Sequence, residues 1–254
     1  MTEIKKSFNR ILEISDDHKQ ITLPDGRYYQ RNGEYYPSVT YVLSYYPKGK
    51  FFEDWLKKVG YASEYIVKKA GEEGTLVHEM IEDYLNGKEL NFLQHGIPMY
   101  NPRIWQMFMR FVDFWETYNP TLIEAEVHLF SDELKVAGTC DMVCEIDGEI
   151  WVIDFKTSNN LQTTYDLQTA LYTKCFEECF NKKVKRSGVL WLKSSKRGPK
   201  TGKMQGKGWE VYESKRTQEE NIDIYKTVRK LFDLENPNHK PAFTQFKTTA
   251  KRNL

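Results

Sequence analysis

The stretch Ala137–Ser158, AGTCDMVCEIDGEIWVIDFKTS, constrains the fold of this chain more than any other. Two β-rich apolar runs flank Asp147-Gly148, a dipeptide suited to the two positive φ angles of a type I′ turn, so the stretch reads as a tight hairpin. A two-residue loop pairs Ile146 with Glu149. Counting outwards, Cys144 meets Trp151, Val143 meets Val152, Asp141 meets Asp154 and Thr139 meets Lys156. Side chains alternate along a strand. One face then carries Asp141, Val143, Ile150, Val152, Asp154 and Lys156, and the other Cys140, Met142, Cys144, Trp151, Ile153 and Phe155. Both faces are mostly apolar, as expected of strands covered on both sides.

This register sets two carboxylates opposite each other, with Cβ atoms about 4.5–5.5 Å apart. At an effective dielectric of about 20, two negative charges at that distance repel by roughly 3 kcal/mol, and desolvation adds to the cost. A divalent cation between them would turn repulsion into chelation, and hard oxygen ligands suit Mg²⁺ or Mn²⁺. The plainer alternative is an ion pair of Asp154 with Lys156, with Asp141 capping a turn.

The rest of the chain has the apolar content to bury such a hairpin. Of its 254 residues 40% are apolar and 29% charged, a globular rather than a disordered composition. The formal net charge of +1 gives no global attraction to a polyanion, so a basic surface has to be local. The run Lys193–Gly208 supplies one, with Lys193, Lys196, Arg197, Lys200, Lys203 and Lys207 and no acid. Its glycines suit a flexible arm touching phosphates, or simply a solvated hairpin tip. The N-terminus has no apolar signal-like run and no segment is long enough to span a membrane. The expected location is cytoplasmic, or the host cytoplasm if the chain is virus-encoded.

Around the hairpin the patterns alternate between helix and strand. Asp25-Gly26 and Asn32-Gly33 mark turns of an N-terminal β-hairpin elaboration over residues 1–36. Pro37-Ser38 marks a helix start with Ser38 as N-cap, and either Ser38 or Thr40 could receive a phosphate there. Phe52, Trp55, Val59, Ala62, Ile66 and Ala70 recur at helical spacing, and Gly71 and Gly74 are expected to break that helix. A second helix is expected from Thr75 to about Leu85, a third over NPRIWQMFMRFVDFWETY, a strand at LIEAEVHLF, a helix from about Tyr165 to Phe180, a strand at SGVLWLK and a last helix before a frayed tail. One α/β domain over residues 1–254, with a mixed sheet flanked by helices, is the expected architecture.

The ordered set of Gly138-Thr139-x-Asp141, Asp154-Phe155-Lys156-Thr157-Ser158 and Gln168-x-x-x-Tyr172, preceded by GTLVHEMIEDYL with His78, resembles the PD-(D/E)xK nuclease superfamily in its RecB-type branch. YPSVTYVL, Tyr36–Leu43, is similar to a signature of mitochondrial genome maintenance exonucleases and their bacteriophage relatives. The resemblance implies a restriction-endonuclease-like core and a Mg²⁺- or Mn²⁺-dependent deoxyribonuclease using one or two ions, with a place in DNA repair or recombination. It implies that His78, Asp141, Asp154 and the Phe155 carbonyl ligate the cation. Lys156 would orient the attacking water and offset transition-state charge. Gln168 and Tyr172, one turn apart on a helix, would hold the substrate backbone with Ser38, Thr157, Ser158 and the basic residues Lys196, Arg197, Lys200 and Lys203. Glu126 sits where related nucleases place a further acid. Glu79 and Glu82 could compete as ligands or be solvated.

Some relatives hold an iron–sulfur cluster through four cysteines bracketing the core. Here Cys140, Cys144, Cys175 and Cys179 lie inside it, which favours packing and no cluster. The activity implied is an exonuclease on single-stranded DNA ends. The alternatives are a structure-specific or flap endonuclease with the same site, and a catalytically inactive DNA-binding protein. The intact Asp141/Asp154/Lys156 set argues against the last.

Overall fold

The computed structural model describes residues 10–13, 18–23, 26–194, 208–238 and 240–241. At the N-terminal end, β1 (Arg10–Glu13), β2 (His18–Thr22), β3 (Arg27–Arg31) and β4 (Glu34–Pro37) form an antiparallel sheet in that order. Asn32 and Gly33 take φ of 52° and 81°, the turn geometry their sequence favours. This sheet is seated on the main body. Tyr29 and Tyr36 are buried in one cluster with Phe130 and Ala137, and Ser38 bridges to Ala137. Helix α1 (Val39–Leu43) follows, with Ser38 as its N-cap.

The next helices divide differently from the sequence expectation. Helix α2 (Lys50–Val59) ends at Gly60, whose φ is +60°. Helix α3 runs unbroken over Ala62–Leu85, through both Gly71 and Gly74. A left-handed residue stops a helix, whereas a helical glycine only weakens one. Gly74 has a packing reason to lack a side chain, since a Cβ there would stand 2.9 Å from Thr157 Oγ1. After the short pair β5 (Leu93–Gln94) and β6 (Ile97–Pro98), α4 (Pro102–Tyr118) begins with Asn101 as cap and proline in its first turn.

The central sheet comprises β7 (Thr121–Ser131), β8 (Val136–Ile146), β9 (Glu149–Lys156), β10 (Arg186–Ser194) and β11 (Gly208–Tyr212), in the order β11-β10-β9-β8-β7. It is mixed: β9 and β10 are parallel and the other pairs antiparallel. A parallel pair needs a crossover, and α5 (Thr163–Phe180) provides it. Strand β11 has no counterpart in the sequence expectation. Helix α6 (Gln218–Glu235) starts with a capping box between Thr217 and Glu220. One face of the sheet packs on α1, α5 and α6 and the other on α3 and α4. Among the described residues no helix is long and apolar enough to cross a membrane.

The hairpin follows its expected register only in part. Asp147 and Gly148 take φ of 52° and 78°, and pairing runs from Ile146↔Glu149 to Met142↔Ile153. There this ladder stops. Val136, Cys140 and Val143 pack in the cluster under α5, while Met142 and Cys144 pack on the opposite side. The alternation therefore slips by one residue beside Asp141. Cys140, expected on the face away from the acids together with Cys144, lies instead on the α5 face. Asp141 is not held against Asp154 by a regular ladder pair. Its carboxylate takes over a backbone role, with Oδ2 accepting the Phe155 N–H at 2.5 Å.

Candidate active site

At the slip a cleft of about 610 Å³ opens between the sheet and α3. Helix α3 brings His78, Glu79 and Glu82 to it, β8 brings Thr139 and Asp141, and the end of β9 brings Asp154, Phe155 and Lys156. Helix α5 adds Tyr165, Gln168 and Tyr172 from the opposite side. Helix α3 comes close to Thr157 at Gly74, and both residues line the cleft.

Three ligand atoms converge here. Those of His78, Glu126 and Asp141 lie within 4.8 Å of one another. His78 Nδ1 is 3.4 Å from Asp141 Oδ1, and the imidazole edge rests on the Phe155 ring. Glu126 reaches the group from β7, where the pairs Ala125↔Met142 and Val127↔Cys140 bracket it opposite Asp141. Its φ of +48° is unusual for a non-glycine residue in a strand, and backbone strain of that kind, worth roughly 1–3 kcal/mol, clusters at functional sites.

Asp154 stands beside this triad, only 2% exposed. Its Oδ1 accepts from Gln168 Nε2 at 2.9 Å, and the same amide donates to Tyr172 Oη at 3.0 Å. The Lys156 ammonium is set against Oδ2, yet that oxygen accepts no well-directed hydrogen bond. Lys156 also lies 4.8 Å over the Tyr165 ring.

The electrostatics record crowded negative charge. Burial opposes charging of His78, but Asp141 and then Asp154 outweigh it and push the imidazole up to about 9. Glu126 is raised to about 7 by burial and by Asp141. Asp154 is raised to about 6, chiefly by burial and against the pull of Lys156. Burial also opposes Asp141's charge, yet His78, Lys156 and the Phe155 amide hold it below the ordinary carboxylate range. An imidazole nitrogen, two or three carboxylate oxygens and a buried carboxylate oxygen short of a donor suit a hard divalent cation. His78, Glu126 and Asp141 could hold it, with Asp154 alongside.

The sequence-predicted residues fall out unevenly. His78, Asp141, Asp154, Phe155, Lys156, Thr157, Ser158, Gln168, Tyr172 and Glu126 all line the cleft. Ser38, expected at the substrate, is not among the lining residues. It is 2% exposed, and its Oγ accepts the Tyr41 N–H that caps α1. Thr40 lines the cleft instead. Ser158 is turned towards its own loop, donating to the Asn160 carbonyl at 2.8 Å. Lys196, Arg197, Lys200 and Lys203 lie outside the described residues. Arg27 and Tyr165 line the cleft although no sequence motif points to them. No local pattern marks Arg27, since only the docking of the N-terminal sheet brings it here. Glu126 has a readable signal: a hairpin pairing β7 with β8 places it opposite Asp141.

A family model described as the PD-(D/E)XK nuclease superfamily matches residues 55–242. Proteins of that superfamily use divalent metals. No curated protein matches the chain. Among solved structures, one described as "Putative exonuclease" from Eubacterium rectale is 13% identical, with a TM-score of 0.43, over 72% of this chain and 77% of that one.

Proposed function

The chain belongs to the PD-(D/E)XK nuclease superfamily, and on that premise we propose that it is a Mg²⁺- or Mn²⁺-dependent deoxyribonuclease that works as an exonuclease from single-stranded DNA ends. The observation that carries this reading is the convergence of His78, Glu126 and Asp141 within 4.8 Å beside the Asp154–Lys156 pair. When bound, a divalent cation supplies a Lewis acid for the phosphoryl oxygens and lowers the pKa of a coordinated water.

The protein's own groups do the rest. Hydrolysis forms a bond from water oxygen to phosphorus, breaks the bond from phosphorus to the leaving sugar oxygen, and delivers a proton to that oxygen. Asp154 and Lys156 hold each other in the cleft, so the ammonium would orient the attacking water and offset charge building on the phosphoryl group. Gln168 locks Asp154 from behind, and Tyr172 locks Gln168. Thr157, which lines the cleft beyond the strand end, would contact the substrate backbone. In this reading the nuclease domain spans the chain, the N-terminal sheet is an elaboration of it, and the basic residues between 193 and 208 bind the strand being cut.

The test is incubation with Mg²⁺ and end-labelled linear single-stranded, linear duplex and circular single-stranded DNA. Loss of nucleotides from linear single strands with the circle intact supports the proposal. Cutting of the circle overturns the exonuclease assignment in favour of an endonuclease, and no cutting of any substrate overturns the enzyme.

A further inference from the structure

The charge balance around the cleft is uneven. Its lining carries Glu79, Glu82, Glu126, Asp141 and Asp154 against Arg27, Lys156 and His78. Lys156 is paired with Asp154, and His78 with Asp141. Among the described residues no carboxylate is set in an ion pair with Arg27, although it faces the same cleft. A nucleic-acid strand entering here meets mostly acids, and cations at the triad account only for the phosphate being cut. The neighbouring phosphate needs a positive group of its own.

Arg27 is held where it could serve. It belongs to β3 of the N-terminal sheet and is exposed. Residues two apart in a strand share a face, so Arg27 shares the face of Tyr29, which turns towards the core. Tyr29 is 1% exposed, and its hydroxyl bonds Thr139 Oγ1 at 2.8 Å. Thr139, two residues from Asp141, is bonded in turn to His128 Nδ1 at 3.0 Å. The chain Tyr29–Thr139–His128 ties β3 to the two strands that carry Asp141 and Glu126. It fixes the distance between the Arg27 backbone and the ligand triad, and it occupies the Thr139 hydroxyl so that this group is not the phosphate donor.

We propose that Arg27 is a substrate-binding residue that grips a non-scissile phosphate of the DNA strand, so that the N-terminal sheet forms one wall of the binding site. The inference rests on the nuclease reading above. A guanidinium presents a fork matched to two phosphate oxygens, which a lysine does not. The group acts on binding of the strand and not on the bond that breaks.

The experiment compares wild type, Arg27→Ala and Arg27→Lys in Mg²⁺-dependent cleavage of fluorescein-labelled oligothymidine, with binding of the same oligomer measured across a salt series. Arg27→Ala is expected to raise KM roughly tenfold, the effect of removing one charge-assisted hydrogen bond to the strand, while kcat stays within about twofold. Its salt slope should shallow by about 0.7, the value for one phosphate on a single strand. Arg27→Lys should keep most of the slope and recover only part of the KM. Equal melting temperatures establish that the variants are folded. Unchanged KM and slope in Arg27→Ala overturn the inference and leave the nuclease reading standing. A fall in kcat at unchanged KM also overturns it, by placing Arg27 at the scissile group. A wild type that neither binds nor cuts the oligomer overturns both.

Discussion

Gly138 lies against the Tyr172 ring so closely that a Cβ on residue 138 would stand 2.5 Å from it. The phenol behind that contact accepts from Gln168, and Gln168 holds Asp154. A glycine in β8 therefore controls the position of a carboxylate on β9 through two side chains of α5. This is the physical content of a glycine three residues before Asp141 and of a glutamine and a tyrosine one turn apart.

Gly138→Ala is expected to push Tyr172 aside and release the Gln168 amide from Asp154. Overpacking of this kind costs about 1–3 kcal/mol, so a melting scan should show a lower midpoint. Cleavage should fall further than the melt explains, because Asp154 loses its Oδ1 donor. Activity at the wild-type level would show that the Tyr172–Gln168 link does not position Asp154.

Lys156→Ala should abolish Mg²⁺-dependent cleavage, by about 10²–10³-fold or more if the ammonium stabilises developing charge, with the circular dichroism spectrum preserved. The variant can fold because Asp154, already raised to about 6, can take up a proton instead of standing as a lone buried charge. Retained cleavage by the purified variant would remove Lys156 from the mechanism.

Cation binding should release protons. Without a cation, His78 is raised to about 9 by Asp141 and Asp154 and keeps its proton at pH 7, while Glu126, raised to about 7 by burial and by Asp141, is partly protonated. Ligation requires both to be deprotonated. Apparent affinity for Mn²⁺ should therefore rise with pH from about 6 to about 9 and level off above. Calorimetric titration in buffers of different ionisation heat measures the protons released, and a heat independent of buffer at pH 7 would contradict the ligand set. Glu126→Gln should weaken binding and reduce the proton release, and a chelator should stop cleavage by wild type.

Neutralising Lys196, Arg197, Lys200 and Lys203 should weaken binding to single-stranded DNA. The salt dependence of binding should flatten by up to about 0.7 for each phosphate that is no longer neutralised. An unchanged slope would mean that this stretch does not touch the strand.

Much of the site was legible in the chain. The Asp147-Gly148 turn dictated the register as far as Met142↔Ile153, and the Ser38 cap and the aromatic helix over Pro102–Tyr118 could be read from local rules. Local chemistry decides these features, since a turn dipeptide or a capping hydroxyl acts on neighbours a few residues away. The break expected at Gly71 and Gly74 failed for the same reason in reverse. At Gly74 the deciding neighbour is Thr157, a residue distant in the chain, whose approach rewards a missing side chain inside an intact helix.

By itself, then, the sequence singled out side chains that line the cleft: two acids and a lysine in an apolar hairpin, a histidine on an upstream helix, and a glutamine and a tyrosine one turn apart. Only the tertiary structure decided how they meet. The slip beside Asp141 turns its carboxylate to His78 and to the Phe155 amide instead of to Asp154 in a ladder pair. The pairing of β7 with β8 brings Glu126 to His78 and Asp141, and the docking of the N-terminal sheet brings Arg27 to the cleft. Each depends on packing between segments far apart in sequence, where burial of apolar surface and the repulsion of crowded carboxylates, rather than local propensity, select the arrangement.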